Sequence, residues 1–352
     1  MRVLATTVPG WGHLVPLLGV LRALLDAGHQ VSVATHPGFH SALASLDIPA
    51  VPAGLSEAEL LAERLRRWPQ TASQPPSDWA PRMFTEIAAP AMASDLHRTI
   101  TTWTPDLVLS EEGEHGGPRF AADRKLPFVS HGWGSPLSSV PAGNRAIAHI
   151  DPCPASLNTR EWTGPPRWPV RLTTPRLVPA DPDTMAWIGD RKHPLAYVSF
   201  GTVPMYRDAT PSDELLDALL AAGLDALCTD PRHAAAPGNR IRVERFVSLP
   251  DILPTCALAV CHGGAGTTLA ALAHAVPVIV LPRGAASQHR MARACATRGV
   301  AAVVDDNHAD LLSVIHAVLT GDHARHAADL AHEIAATPHP AQVVKTLEQS
   351  LG

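Results

Sequence analysis

The chain has few of the features that place a protein quickly. It carries 5 cysteines in 352 residues, an odd number with no Cys-x-x-Cys pair, which points to reduced core thiols in a cytoplasm rather than a disulfide framework. No run reaches the ~18 apolar residues of a membrane-spanning helix. Positive charge is not in excess: 28 Lys and Arg face 33 Asp and Glu, and the net charge of -5 gives no electrostatic case for nucleic acid or anionic membrane. A Gly-Lys-Ser/Thr ending occurs nowhere, so a P-loop is excluded. The pair His332-Glu333 is followed by Ala336 where a zinc-protease helix needs its second histidine.

What is present is a soluble globular composition, 46% hydrophobic and 17% charged, long enough for two domains of about 150 to 180 residues. Histidine is common at 19, with His308, His316, His323, His326, His332 and His339 late in the chain; these read as solvated helix positions rather than a metal site. Residues Met1 to Leu25 superficially resemble a secretory leader. Pro9, Gly10, Gly12, His13 and Pro16 break the apolar core, and the segment reads as strand, loop and helix.

Strand-like and helix-like segments alternate in both halves. In the first half, Val3 to Thr7, Leu14 to Ala27 and Gln30 to Thr35 form a βαβ pattern, and Asp106 to Ser110 and Phe128 to His131 are short strands around a helical Gly117 to Arg124. Pro69 to Pro81 reads as a loop able to wall a substrate cleft. Gly132 to Asp183, dense in proline and glycine, reads as irregular and holds the domain connection. The second half offers strands at Leu195 to Phe200, Asp225 to Thr229, Arg240 to Phe246, Leu258 to Cys261, Val276 to Leu281 and Val300 to Val304, with a helix at Ser212 to Ala222. The expected architecture is α/β with two Rossmann-like halves and ligands at the carboxyl ends of the strands.

Two turns carry chemistry. His262, Gly263, Gly264, Ala265, Gly266, Thr267 and Thr268 follow a strand-like run and open a helix-like one. Glycines let backbone N–H groups approach a ligand, and a helix start offers unpaired donors and about half a positive charge, so a phosphate or diphosphate is the expected ligand. Leu269 stands where a dinucleotide fingerprint needs a third small residue, which weakens that reading. An ordinary tight turn is the bland alternative. The second turn is Gly10-Trp11-Gly12-His13, where His13 is either a helix-start residue or a general base. Glu111 and Glu112 follow the Asp106 to Ser110 strand, and either could hold the other nitrogen of the imidazole or cap the next helix.

Gly12-His13 with Pro16, the run Val243 to Pro250, and His262 to Thr268 followed by Pro282 and Gln288 together resemble family 1 glycosyltransferases of the GT-B fold. The likeness is to bacterial enzymes that glycosylate natural products such as enediynes, macrolides and glycopeptides, and it runs from end to end, including a terminal helix from Thr337 that crosses back to the first domain. The resemblance implies an acceptor domain at 1–175, a donor domain at 176–336 and that terminal helix at 337–352.

The resemblance implies roles residue by residue. His13 matches the base that takes the acceptor proton and Glu111 its acidic partner, with Glu112 a rival. Gly201, Thr202, His262, Gly264, Gly266, Thr267 and Thr268 match the diphosphate loops. Phe246 matches a base-stacking position, although a core phenylalanine is the alternative, and Val247 to Leu249 match the loop that reads the pyrimidine edge. Ser287 and Gln288 match the sugar-binding pair, while Trp11, Trp79, Met83 and Trp133 lie in predicted acceptor-side segments. Two departures stand out: Ala270 where many relatives grip the ribose with glutamate, and Ala286 and Ser287 where an aspartate often grips the sugar. Both fit a thymidine diphosphate deoxysugar, because a buried carboxylate facing a missing hydroxyl is costly.

The expected activity is inverting, metal-independent transfer of a deoxysugar to an apolar aglycone, with no cofactor beyond the nucleotide sugar, in a cytoplasmic protein that could be a homodimer. Alternatives in other classes are a nucleotide-sugar epimerase of the same fold and a non-catalytic nucleotide-sugar-binding partner. Carbon rather than oxygen glycosylation also stays open.

Overall fold

The computed structural model describes residues 1–139, 146–158, 160–203, 212–229, 240–305 and 310–351. The chain divides into two compact units, one of residues 1–153, 160–173 and 337–352, the other of residues 154–159 and 174–336.

Among the described residues the first unit holds a parallel sheet of seven strands: β1 (Arg2–Thr6), β2 (Gln30–Thr35), β3 (Ala50–Pro52), β4 (Leu107–Glu111), β5 (Phe128–His131), β6 (Ala148–Asp151) and β7 (Arg167–Pro169), in the order β3-β2-β1-β4-β5-β6-β7. Helices cover it, so its central strands are apolar on both faces; Val3, Leu4, Ala5, Leu107, Val108 and Leu109 are fully buried. Chain order reverses between β1 and β4. At such a switch point the loops leaving neighbouring strands diverge to opposite sides and leave a crevice at the carboxyl ends.

The second unit repeats the plan with six strands, β8 (Leu195–Ser199), β9 (Asp225–Cys228), β10 (Ile241–Val243), β11 (Cys256–Cys261), β12 (Val278–Val280) and β13 (Ala301–Val303), all parallel in the order β10-β9-β8-β11-β12-β13. Here the switch lies between β8 and β11. The last helix, Pro340–Leu351, belongs to the first unit. It packs on the helix Trp11–Asp26, where a Cβ on Gly19 would meet the Pro340 ring at 3.4 Å, and the Arg171 amide donates to the Pro338 carbonyl at 2.8 Å.

Several expectations need correction. Pro69 to Pro81 is not a loop: Pro69–Ser73 is a 3-10 turn and Pro76–Arg82 an α-helix, because Pro69 and the pair Pro75-Pro76 sit at helix starts, where a missing N–H costs nothing, and only Pro81 falls inside. Gly132 to Asp183 is not irregular throughout, since β6 and β7 extend the sheet from within it. Strand β10 ends at Val243, so Phe246 lies beyond it. The helix expected from Leu14 begins at Trp11, which moves Pro16 into its second turn. His308 lies outside the described residues, and His326 is not simply solvated, for its Nδ1 bonds the Gly299 carbonyl at 3.2 Å. All five cysteines are free thiols. No helix among the described residues is long and apolar enough to cross a membrane.

Candidate active site

Both sequence turns fall at the two switch points. In the first unit β1 runs into Gly10, which caps the Trp11–Asp26 helix without a side-chain hydrogen bond, and His13 is the third helical residue. Glu111 is the last residue of β4, the neighbour of β1 across the switch. The sheet therefore brings together two residues that are 98 apart in sequence, with His13 Nδ1 3.1 Å from Glu111 Oε1. The His13 side chain is 21% exposed and that of Glu111 fully buried, so one end of the imidazole reaches solvent while the other is anchored.

Four donors converge on Glu111. Oε1 takes His13 Nδ1 and, at 3.3 Å, the Val8 amide; Oε2 takes the Gly113 amide and the Trp133 indole N–H, each at 2.6 Å. Burial pushes this carboxyl up, but the His13 charge and these hydrogen bonds outweigh it, and its pKa is lowered. An ionised Glu111 accepts from Nδ1–H, which leaves Nε2 of a neutral His13 as the proton acceptor. The choice between the two glutamates is thereby settled for this contact. Glu112 is also buried but turns toward Gly132, whose Cβ would meet Glu112 Oε2 at 3.2 Å.

The walls around His13 are aromatic. Trp133 meets the imidazole edge-to-face at 4.5 Å and Phe84 at 5.5 Å between centroids. Trp133, expected on the acceptor side, thus also fixes the acid; its position just past β5, next to β4, was the signal available for that. Trp11 stacks edge-on with Phe39 at 5.2 Å. Trp79 is turned inward: it is 4% exposed, its indole donates to the Gln74 carbonyl, and the Arg64 guanidinium lies 4.0 Å over its ring, so it builds the wall rather than lining it. Met83 is likewise buried.

Sequence reasoning missed Glu114. It is fully enclosed, accepting from Thr6 Oγ1 at 2.5 Å and from the Gly116 and Gly117 amides at 2.5 and 2.7 Å, with Ser110 joined through Thr6. Burial raises its pKa to about 7 despite those donors, helped by the charge of Glu111.

In the second unit β11 ends at Cys261 and His262 follows it, beside Gly201 in the loop after β8. The imidazole is gripped between the two glycine loops: a Cβ on Gly201 would sit 2.8 Å from His262 Cε1, and one on Gly264 2.7 Å from Nε2. Gly201 and Gly263 also take positive φ, +77° and +83°. His262 is buried, which drives its pKa down to about 4 against a hydrogen bond to the Ser199 backbone, so it is neutral at pH 7.

The helix Ala265–Ala273 then starts with Gly264 as its cap, no side-chain hydrogen bond and no acid in the first turn. The neighbouring Ala286–Thr297 helix, capped by Ala285, is the same. Three other helices are capped by side chains, with Ser56, Asp181 and Asp310 accepting from first-turn amides, whereas Trp11–Asp26 and Gly116–Arg124 share the uncapped start. At the start of the Ala265–Ala273 helix Gly266 has nothing within 4 Å of where its Cβ would be, so its first-turn amides face open space.

Two expected cradle groups are already engaged. Thr268 is buried and its hydroxyl donates to the Gly264 carbonyl at 2.9 Å, a helix-start bond that removes it from the phosphate face; Thr267 is the more open of the pair. Gln288 is buried with Oε1 accepting from the Arg283 amide at 2.7 Å, which leaves its NH2 group to act as donor beside Ser287. Phe246 is 41% exposed, so the core alternative fails, while Val247 is buried. Ala270 is buried and Ala286 exposed. The metal-free expectation overlooked an Asp-x-Asp triplet, Asp181-Pro182-Asp183. It is a helix start: Asp181 accepts from the Thr184 amide and hydroxyl and pairs with Arg242.

Two α/β units of this topology, one ending in a paired His–Glu and the other in an uncapped glycine-rich helix start, are the GT-B arrangement of glycosyltransferases. A family model described as "Erythromycin biosynthesis protein CIII-like, C-terminal domain" matches residues 214–350. L-demethylnoviosyl transferase of Streptomyces niveus is 32% identical over 376 residues, covering 99% of this chain and 97% of its own. Elloramycin glycosyltransferase ElmGT of Streptomyces olivaceus is 30% identical over 391 residues, covering 100% and 98%. Among solved structures, Spinosyn Rhamnosyltransferase SpnG complexed with thymidine diphosphate superposes with a TM-score of 0.78 at 26% identity, covering 99% of this chain and 100% of that one. The chain belongs to the family of bacterial natural-product glycosyltransferases of the antibiotic type.

Proposed function

We propose that this glycosyltransferase moves a deoxysugar from a thymidine diphosphate donor to a hydroxyl of a small apolar natural-product aglycone, with inversion at the anomeric carbon. The observation that carries the reading is the His13–Glu111 pair. His13 Nε2 takes the acceptor hydroxyl proton as the oxygen bonds to the anomeric carbon; the bond from that carbon to the diphosphate oxygen breaks on the opposite face, and the diphosphate leaves with the electron pair. Glu111 keeps the imidazole in the right tautomer and favours the imidazolium that forms.

The donor half of the reading rests on the uncapped helix start at Ala265, on exposed Phe246 as a stacking surface, and on the relative solved with thymidine diphosphate. The deoxysugar preference rests on Ala286 and Ser287 replacing an acid. The aromatic surroundings of His13 favour an apolar acceptor, and a related structure, Spinosyn Rhamnosyltransferase SpnG, is complexed with spinosyn aglycone.

The test is a matrix of thymidine diphosphate deoxysugars and uridine diphosphate glucose against an aglycone panel, read by mass, with product configuration assigned by NMR. Preference for uridine diphosphate glucose overturns the donor assignment, and a retained configuration overturns the mechanism. A donor changed without any acceptor present identifies an epimerase instead.

A further inference from the structure

Arg283 lies in the loop between β12 and the Ala286–Thr297 helix, at the carboxyl edge of the second sheet. Its backbone is fixed there by its amide hydrogen bond to Gln288 Oε1, and Gln288 in turn packs on the cradle, since a Cβ on Gly263 would meet the Gln288 carbonyl oxygen at 3.0 Å. Two nitrogens of its guanidinium, Nε and Nη2, are buried and have no hydrogen-bond partner. Arginine stays protonated in proteins, so these are N–H groups of a cation, taken out of water without compensation. Desolvation alone lowers the pKa of the group, with no acid contributing to hold it up.

Other arginines have partners: Arg64, whose Nε is also buried without a hydrogen bond, lies 4.0 Å over the Trp79 ring. Arg66, Arg176, Arg240 and Arg242 each have a carboxylate within 2.8 Å. Leaving a guanidinium unmatched on the loop next to two uncapped helix starts is costly unless a ligand brings the anion. A neutral His262 and helix dipoles supply donors but no fixed charge, whereas a departing diphosphate develops negative charge.

We propose that Arg283 is a donor-binding residue whose guanidinium pairs with the diphosphate of the sugar donor. This rests on the reading of the second unit as the nucleotide-sugar site and adds a cation to it. Arg283 thereby stabilises the leaving group, and it does so without any contribution from the base or the sugar hydroxyls.

The test is calorimetric titration of the full-length wild type, Arg283→Met and Arg283→Lys with thymidine diphosphate and with inorganic pyrophosphate, together with ligand-free melting. The expected result is at least a tenfold loss of affinity for both ligands in Arg283→Met, partial recovery in Arg283→Lys, and a ligand-free Tm equal to or above wild type, because an uncompensated cation has been removed. Affinity within twofold of wild type overturns the proposal. So does a loss of affinity accompanied by a ligand-free Tm several degrees lower, which marks a structural role. Wild-type protein that binds pyrophosphate but no nucleoside diphosphate refutes the donor reading alone, and the pyrophosphate arm still decides Arg283; wild-type protein that binds neither refutes both.

Discussion

His13 Nδ1 and Glu111 Oε1 stand 3.1 Å apart because β1 and β4 are neighbours across a switch in strand order, with Glu111 ending β4 and His13 in the first turn of the helix that follows β1. Glu111→Gln keeps the shape of the side chain but can present an N–H to the imidazole, which reverses the tautomer and points a protonated Nε2 at the acceptor. The expected outcome is a fall in kcat on the order of 10³-fold with thymidine diphosphate affinity within twofold of wild type. Steady-state kinetics paired with calorimetry separates the two. Activity within tenfold of wild type shows that Glu111 does not set the tautomer.

His13→Ala removes the proposed base itself and should be at least as damaging to oxygen transfer, again with nucleotide affinity nearly unchanged. Single-turnover rates with a hydroxyl acceptor decide this, and near-normal turnover means the proton goes elsewhere.

Trp133 ties the same carboxylate from just past the end of β5, through an indole N–H 2.6 Å from Glu111 Oε2. Trp133→Phe keeps an aromatic face toward His13 but leaves a buried charge one donor short. A hydrogen bond to a charged group contributes about 1.5 to 3 kcal/mol, so a visibly lower Tm is expected, with kcat reduced several-fold. A Tm unchanged by calorimetry means water takes over the lost bond.

The glycines of the second turn have separable roles. Gly264→Ala places a methyl 2.7 Å from His262 Nε2, so both folding of the turn and diphosphate binding should suffer. Gly266→Ala meets nothing within 4 Å and lies inside a helix, where alanine is favoured over glycine by roughly 0.5 to 1 kcal/mol. Its Tm should hold or rise while nucleotide affinity falls at least tenfold, because the methyl occupies space a phosphate would use. Unchanged affinity in Gly266→Ala places the diphosphate away from this helix start.

Much of this was legible in the sequence for a definite reason. Parallel strands buried on both faces leave continuous apolar runs, so β1, β4, β5, β8 and β11 stood out, and glycine-rich turns at their ends marked both switch points. The short strands β3, β6 and β7 did not, because none is a continuous apolar run and β6 and β7 sit among prolines. Pro76 and Pro81 read as loop markers although helix starts and short helices tolerate them. Individual contacts were the least legible: Glu111 is the last residue of β4 and Glu112 the first of the turn after it, a boundary that decides which one reaches His13 and that no composition shows. Arg283 and Glu114 were invisible because their importance lies in burial, which only the folded chain defines.

Glu114 makes a prediction about pH. Its folded pKa of about 7 lies above that of an exposed glutamate, so the folded state holds a proton that the unfolded chain gives up. Below the unfolded value both states are protonated and stability is at its maximum with respect to this group. As pH rises toward 7 the unfolded state is progressively favoured, and above the folded value the loss is complete, on the order of 3 kcal/mol. Glu114→Gln cannot ionise; its one oxygen can take the Thr6 hydroxyl and the Gly117 amide that Oε2 accepts, at a pH-independent cost from the lost Gly116 bond. The difference in Tm between variant and wild type should therefore grow in favour of the variant from pH 5 to pH 7.5 and then level off. Differential scanning calorimetry across that range measures it, and a difference independent of pH shows that Glu114 is ionised throughout, held by its three donors rather than neutralised by burial.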